Sequence, residues 1–286
     1  MTGTQILTAT CPARAGIVAA VTGYLADQRC YISALEQFDD ESTRRFFMRA
    51  VFRPQDEGAD IGSTLARLEA VMEPLEMTWQ VHRLDVPMPV VIMVSKFDHC
   101  LADLLYRVRN GELPMRIAAV VSNHRDCRAV VEREGLLYVH LPVSPDTKPN
   151  AEARLLEIVS ETGAELVVLA RYMQILSAHL ADTLRGRCIN IHHSFLPGFK
   201  GARPYHQAYK RGVKLIGATA HYVTSDLDEG PIIEQQVVRV RHHDLPDDMV
   251  RLGRDIECQV LSRAVKLHVE HRVFVDGNKT VVFESS

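Results

Sequence analysis

Pro89-Val90-Val91-Ile92-Met93-Val94-Ser95 is the stretch on which the fold turns. Its apolar residues run from Val90 to Val94 without interruption and are rich in β-branched side chains. Such a run reads as a strand buried on both faces, as in a parallel sheet covered by helices on each side. A strand with one wet face would alternate instead. The downstream residues agree. Residues 98–109 space their apolar side chains as a helix does, with Asp98 placed to cap it. Strands at 117–122, 137–141, 165–169 and 188–191 then alternate with helices at 125–133, 150–162, 176–184 and 202–211. Strands at 216–223 and 232–240 and a long helix at 249–269 come after these. Repeated β-α units predict an α/β fold with a doubly wound, mostly parallel sheet.

Upstream, Asp85-Val86-Pro87-Met88-Pro89 reads as an extended connector, because each proline lacks an amide donor and restrains the residue before it. The residues before it alternate differently. Strands at 5–10, 30–38, 45–52 and 77–84 and helices at 16–27 and 61–72 give the order β-α-β-β-α-β, the ferredoxin-like split. The expected organisation is therefore a small domain over 1–84, a linker over 85–89 and a larger domain over 90–286.

Composition narrows the classes of function. Of 286 residues, 47% are hydrophobic and 24% charged, an ordinary globular mix, and the net charge of -3 offers no basic face for nucleic acid. No basic segment leads into an apolar one at the N-terminus, and the longest apolar runs fall far short of the roughly 20 residues that span a bilayer. A cytoplasmic protein without membrane contact is expected. The six cysteines are scattered, with no C-x-x-C pair, so buried reduced thiols are expected rather than a zinc site or a disulfide scaffold. His192-His193 and His242-His243 place neighbouring rings on opposite faces of a strand, which rarely chelates one ion. No metal and no cofactor are expected.

Three stretches are candidates for chemistry. In Ile189-Asn190-Ile191-His192-His193-Ser194-Phe195-Leu196-Pro197-Gly198, Asn190 and His192 stand two apart at a strand end and so share a face. An amide donor beside an imidazole suits a carbonyl that becomes an oxyanion. Thr224-Ser225-Asp226-Leu227-Asp228-Glu229-Gly230-Pro231 reads as a polar loop after a strand. Arg171-Tyr172-Met173-Gln174-Ile175-Leu176 lies between a strand and a helix. Singly, these residues are more often a solvated turn, a satisfied histidine or core packing.

Taken in order, the three stretches resemble the formyltetrahydrofolate-dependent formyltransferase family: an Asn-x-His strand end, a Leu-Pro-x-x-x-Gly loop and a Leu-Asp-x-Gly-Pro loop, within residues 88–286. The resemblance implies that Asn190, His192 and Asp228 are the catalytic amide, imidazole and carboxylate. It also implies that Arg171, Tyr172, Met173, Gln174, Ile175 and Leu176 face the pterin ring of a folate substrate, with His193 on the water side.

Transferases of this family hold the acceptor's phosphate on a Gly-rich loop after the first strand. Here that place reads Ser95-Lys96-Phe97-Asp98-His99-Cys100, with no glycine, a bulky Phe97 and an anionic Asp98. The departure implies the branch of the family in which water takes the formyl group. That branch hydrolyses 10-formyltetrahydrofolate to formate and tetrahydrofolate, supplying formate for purine synthesis and balancing the one-carbon folate pool. Formyl transfer to an amine acceptor is the alternative. Cys11-Pro12-Ala13-Arg14-Ala15-Gly16-Ile17-Val18 before a helix resembles an ACT domain, a module that binds amino acids at subunit interfaces. That likeness implies a homo-oligomer, dimer or tetramer. The module usually has Asp where Ala13 stands, so an amino-acid effector and a purely dimerising role both remain open, as does an amino-acid sensor without catalysis.

Overall fold

A computed structural model describes residues 3–56, 61–198 and 204–284. Phe199, Lys200, Gly201 and Ala202 of the expected loop and helix start lie outside the described residues. The chain divides into two compact units, one of Met1–Pro87, Glu270–Phe274 and Val281–Ser286, the other of Met88–Val269 and Val275–Thr280.

The first unit holds β1 (Gln5–Pro12), α1 (Ile17–Asp27), β2 (Cys30–Asp40), β3 (Arg45–Pro54), α2 (Ile61–Met72) and β4 (Thr78–Arg83). The strands form an antiparallel sheet in the order β2-β3-β1-β4, the ferredoxin-like arrangement. The helices bury Val21, Leu25, Leu68 and Met72 against Leu7, Met48 and Phe52 of the sheet. Gly16 precedes α1 at a φ of 88°, a conformation that glycine takes at little cost.

The second unit runs β5 (Met88–Val94), α3 (His99–Arg109), β6 (Met115–Ser122), α4 (Arg128–Arg133), β7 (Tyr138–His140), α5 (Lys148–Thr162), β8 (Leu166–Leu169), α6 (Ala178–Thr183), β9 (Cys188–His192), α7 (Pro204–Arg211), β10 (Leu215–Tyr222), β11 (Ile232–Arg239) and α8 (Pro246–Val269). Its sheet has the order β11-β10-β9-β8-β5-β6-β7. Strands β5 to β9 pair in parallel, and β10 and β11 join antiparallel. Val90 to Val94 are at most 2% exposed, as a doubly covered central strand requires. From β5 the chain winds outward to β6 and β7 and then returns to β8 and β9 on the other side. That reversal opens a crevice at the strand carboxyl ends, where open α/β sheets place their sites.

Local details depart from expectation. Asp98 occupies the cap position of α3 but its side chain makes no capping hydrogen bond. The helix expected from Leu176 starts at Ala178, because Ser177 caps it by accepting from the Leu180 amide at 3.2 Å. A C-terminal hairpin of β12 (Val273–Asp276) and β13 (Lys279–Val282) was not expected. Its Asp276-Gly277-Asn278 turn, with Gly277 at a φ of 63°, carries the signal for it.

Candidate active site

Strand β9 sets Asn190 and His192 on one face, and both line a cavity of about 650 Å³. Across the antiparallel ladder His192 faces Thr219, and Asn190 faces His221. The β10–β11 register shifts between Ala220 and His221, a bulge that re-aims His221. His221 donates from Nδ1 to the Tyr222 carbonyl at 2.9 Å, which leaves Nε2 to accept from the Asn190 amide at 3.2 Å.

Asp228 is brought back to the strands by the loop after β10. The Tyr222 amide donates to the Pro231 carbonyl at 2.9 Å and closes the loop. Gly230 permits the closure, because a Cβ there would lie 1.7 Å from the Tyr222 oxygen. Asp228 itself sits at a φ of 57°, a left-handed conformation of the kind that concentrates at functional sites. Its Oδ2 stands 3.3 Å from His192 Nδ1 and its Oδ1 3.6 Å from His221 Nε2. Burial acts to raise the Asp228 pKa, but the hydrogen bond and charge of His192, with His221 close by, outweigh it and hold the carboxyl well below its usual range. Asp228 is therefore an anion. His192 Nε2, on the other side of the ring, is buried and has no hydrogen-bond partner among the described residues.

The adjoining loop is braced from β10. The buried Thr219 hydroxyl donates to the Ser194 carbonyl at 2.9 Å and accepts from the Leu196 amide at 3.1 Å and the Gln235 amide at 2.9 Å.

Arg171 to Leu176, the expected folate-facing segment, lines the same cavity. Met173 and Ile175 expose 52% and 61% of their surface, more than core packing would allow. Ser95, at the end of β5, pins this segment: its hydroxyl accepts from the Met173 amide at 3.0 Å and donates to Asn123 at 2.8 Å. The residues after β5 thus hold the wall of the cavity, in the position where the transferase pattern has a Gly-rich loop. Phe97 lines the cavity and lies under the Arg254 guanidinium, 5.5 Å from ring centre to carbon.

Sequence reasoning missed the other wall. Glu257 of α8 is 1% exposed, yet it lines the cavity. It accepts from His99 Nε2 and from the Tyr205 hydroxyl, each at 2.8 Å, and lies 3.3 Å from Arg171 Nε. Burial acts to raise its pKa, but these donors and the guanidinium bring it below the ordinary value. His193 stands between this cluster and His192, its ring centre 5.1 Å from that of His192 and 6.3 Å from that of Tyr205. Burial, with the charges of Arg171 and His192, pushes its imidazole down to about 4, so it is neutral at neutral pH. His99, Cys100 and Glu257 have ligand atoms close enough to share a metal ion. The carboxylate already has two hydrogen-bond donors and an ion pair, however, and a hydrogen bond from the Cys100 thiol to Cys258, together with burial, pushes that thiol's pKa far up, away from the thiolate that binds metals.

These geometries have counterparts in known proteins. A family model for formyl transferases matches residues 88–265. A formyltetrahydrofolate deformylase of Corynebacterium sp. (strain P-1) is 54% identical over 278 residues, 97% of this chain and 97% of that protein. The crystal structure of a formyltetrahydrofolate deformylase from Burkholderia mallei superposes with a TM-score of 0.95 at 52% identity, covering 99% of this chain and all of the other. A glycinamide ribonucleotide transformylase from Symbiobacterium toebii reaches a TM-score of 0.66 at 30% identity over 71% of this chain. The deformylases match both units and the transformylase a smaller share, so the chain belongs to the formyltetrahydrofolate deformylase family.

Proposed function

We propose that the chain hydrolyses 10-formyltetrahydrofolate to formate and tetrahydrofolate, with Asn190, His192 and Asp228 as its catalytic residues. One observation carries the reading. In a chain 54% identical to a deformylase over 97% of its length, these three side chains converge on one cavity, and the buried Nε2 of His192 has no partner there among the described residues.

The chemistry follows from the atoms. Asp228 accepts from His192 Nδ1 and so aims Nε2 into the cavity. A water, positioned by the Asp228 anion, attacks the formyl carbon carried on N10. The carbonyl oxygen gains charge and is held by the Asn190 amide and by Nε2–H of the protonated His192. N10 takes up the proton that the attacking water gives up, the C–N10 bond breaks, and formate and tetrahydrofolate leave. No metal or organic cofactor enters the scheme. The 171–176 segment packs on the pterin ring, and His193, neutral beside His192, lines the water side.

The first unit is read as an ACT module that assembles the chain into a dimer or tetramer and offers a place for an amino-acid effector. Among the described residues no helix is long and apolar enough to cross a membrane. We place the enzyme in the cytoplasm, where it supplies formate for purine synthesis and balances the folate pool. The deciding experiment is an acceptor-free assay. Purified protein with 10-formyltetrahydrofolate alone should release formate and tetrahydrofolate in equal amounts. Turnover that waits for an added amine would overturn hydrolysis in favour of transfer.

A further inference from the structure

The cavity has one wall that neither the Asn190–His192–Asp228 group nor the folate-facing backbone explains. It is made of His99, Tyr205, Glu257 and the side chain of Arg171. A carboxylate buried to 1% exposure is costly and persists only with matching donors. Glu257 has two, His99 and Tyr205, and Arg171 supplies the charge that balances it. Arg171 is 11% exposed in its side chain and sits at a φ of 63°, a region that non-glycine residues seldom enter. Glycine would fit that backbone without strain. Among the described residues, the pairing with Glu257 is the interaction that the Arg171 side chain makes from that backbone. Its Nε is buried within ion-pair distance of the carboxylate but not aligned as a hydrogen bond, so the guanidinium fills space as well as balancing charge.

We propose that the Arg171–Glu257 pair is the specificity element that reserves the nucleophile position for water. This rests on the hydrolytic reading above. A buried carboxylate in a formyl-transfer cavity is suited to bind an amine's N–H groups and to take up its proton. With Arg171 beside it, that carboxylate is already charge-balanced by a cation. An incoming amine would have to compete with the guanidinium for it, whereas water needs no such partner. His193 joins the two clusters, since the charges of Arg171, Glu257 and Asp228 all act on its ring. In hydrolysis Arg171 and Glu257 are thus positioning residues and take no part in bond making.

The test is Arg171→Gly, with glycinamide as the probe amine. In the transfer step the amine nitrogen bonds to the formyl carbon, the C–N10 bond breaks, the amine's proton passes to Glu257 and N10 gains one. The step needs no oxidant or reductant. Formate and N-formylglycinamide are measured separately by mass spectrometry, and thermal unfolding confirms the fold. The ratio of formylated amine to formate should rise at least about tenfold over the wild type, the scale on which one pocket change shifts selectivity. Adding Glu257→Gln to that variant should abolish most of the gain, because the carboxylate that receives the amine is lost. Arg171→Ala provides a second route to the same opening. Formate release without formylated amine in both single variants overturns the inference and leaves the proposed hydrolysis standing. So does wild-type transfer to glycinamide at a rate comparable to hydrolysis. A wild type that releases no formate overturns the proposed function instead.

Discussion

His192 Nδ1 stands 3.3 Å from Asp228 Oδ2 while the opposite nitrogen of the same ring is buried without a partner among the described residues. One face of the imidazole is committed to the protein and the other to the cavity. Asp228→Asn keeps the shape of the carboxylate but removes its charge. His192→Ala removes the ring. Each should lower the rate of formate release by roughly 10²-fold or more, the usual cost of losing an oxyanion donor or a general acid–base. Initial rates measured at saturating substrate check this. Near-normal hydrolysis by either variant would remove the pair from the mechanism.

His221 holds Asn190 through a 3.2 Å hydrogen bond and is itself fixed by the Tyr222 carbonyl. His221→Ala frees the Asn190 amide to rotate without touching the reacting atoms. A hydrogen bond contributes about 1 kcal/mol net, so kcat should fall roughly fivefold while KM stays close to the wild-type value. A rise in KM with kcat unchanged would show that His221 serves substrate binding instead.

The proposed catalytic group was legible only as a set. Strand spacing puts Asn190 and His192 on one face, but it was the order of the three stretches, and their resemblance to a known family, that joined them to Asp228. The wall around Glu257 was not legible, because its members are separated by up to 158 residues and meet only when α3, α7 and α8 pack. A trace of it does exist in the sequence. Gly253, Ile256, Glu257, Val260, Leu261 and Ala264 fall at helical spacing on the buried stripe of α8, so Glu257 is an acid on an apolar face. The pairing of the Arg171 side chain was not legible for a similar reason. Arg171 lines the cavity with the rest of its segment, but a positive φ brings its side chain to Glu257, and backbone sign cannot be read from residue type. The C-terminal strands were missed because four residues each carry too little periodicity to stand out.

Gly253 tests the packing of that wall. A Cβ there would lie 2.1 Å from the Tyr205 ring and would push its hydroxyl away from Glu257. Gly253→Ala should lower stability by about 1–3 kcal/mol, as overpacking typically does. Urea titration of the variant, compared with Tyr205→Phe, separates the clash from the lost hydrogen bond. Tyr205→Phe should cost less, because Glu257 retains His99 and Arg171.

Acid should weaken the fold through buried histidines. Burial first, then the charges of Arg171 and His192, depresses His193 to about 4, and burial alone lowers His82. The unfolded chain takes up protons on both near pH 6.5, where the folded chain does not. The unfolded state therefore binds more protons between about 4 and 6.5, so stability falls as pH drops through that window and is full above it. Asp228 behaves otherwise. Its depressed pKa keeps its contribution through the same window and loses it only at lower pH. Urea midpoints measured from pH 7.5 to pH 4.5 should decline, and His193→Gln should make the decline shallower. A decline of the same slope in that variant would mean that His193 is charged in the folded protein, and the water side of the site would then carry a cation next to His192.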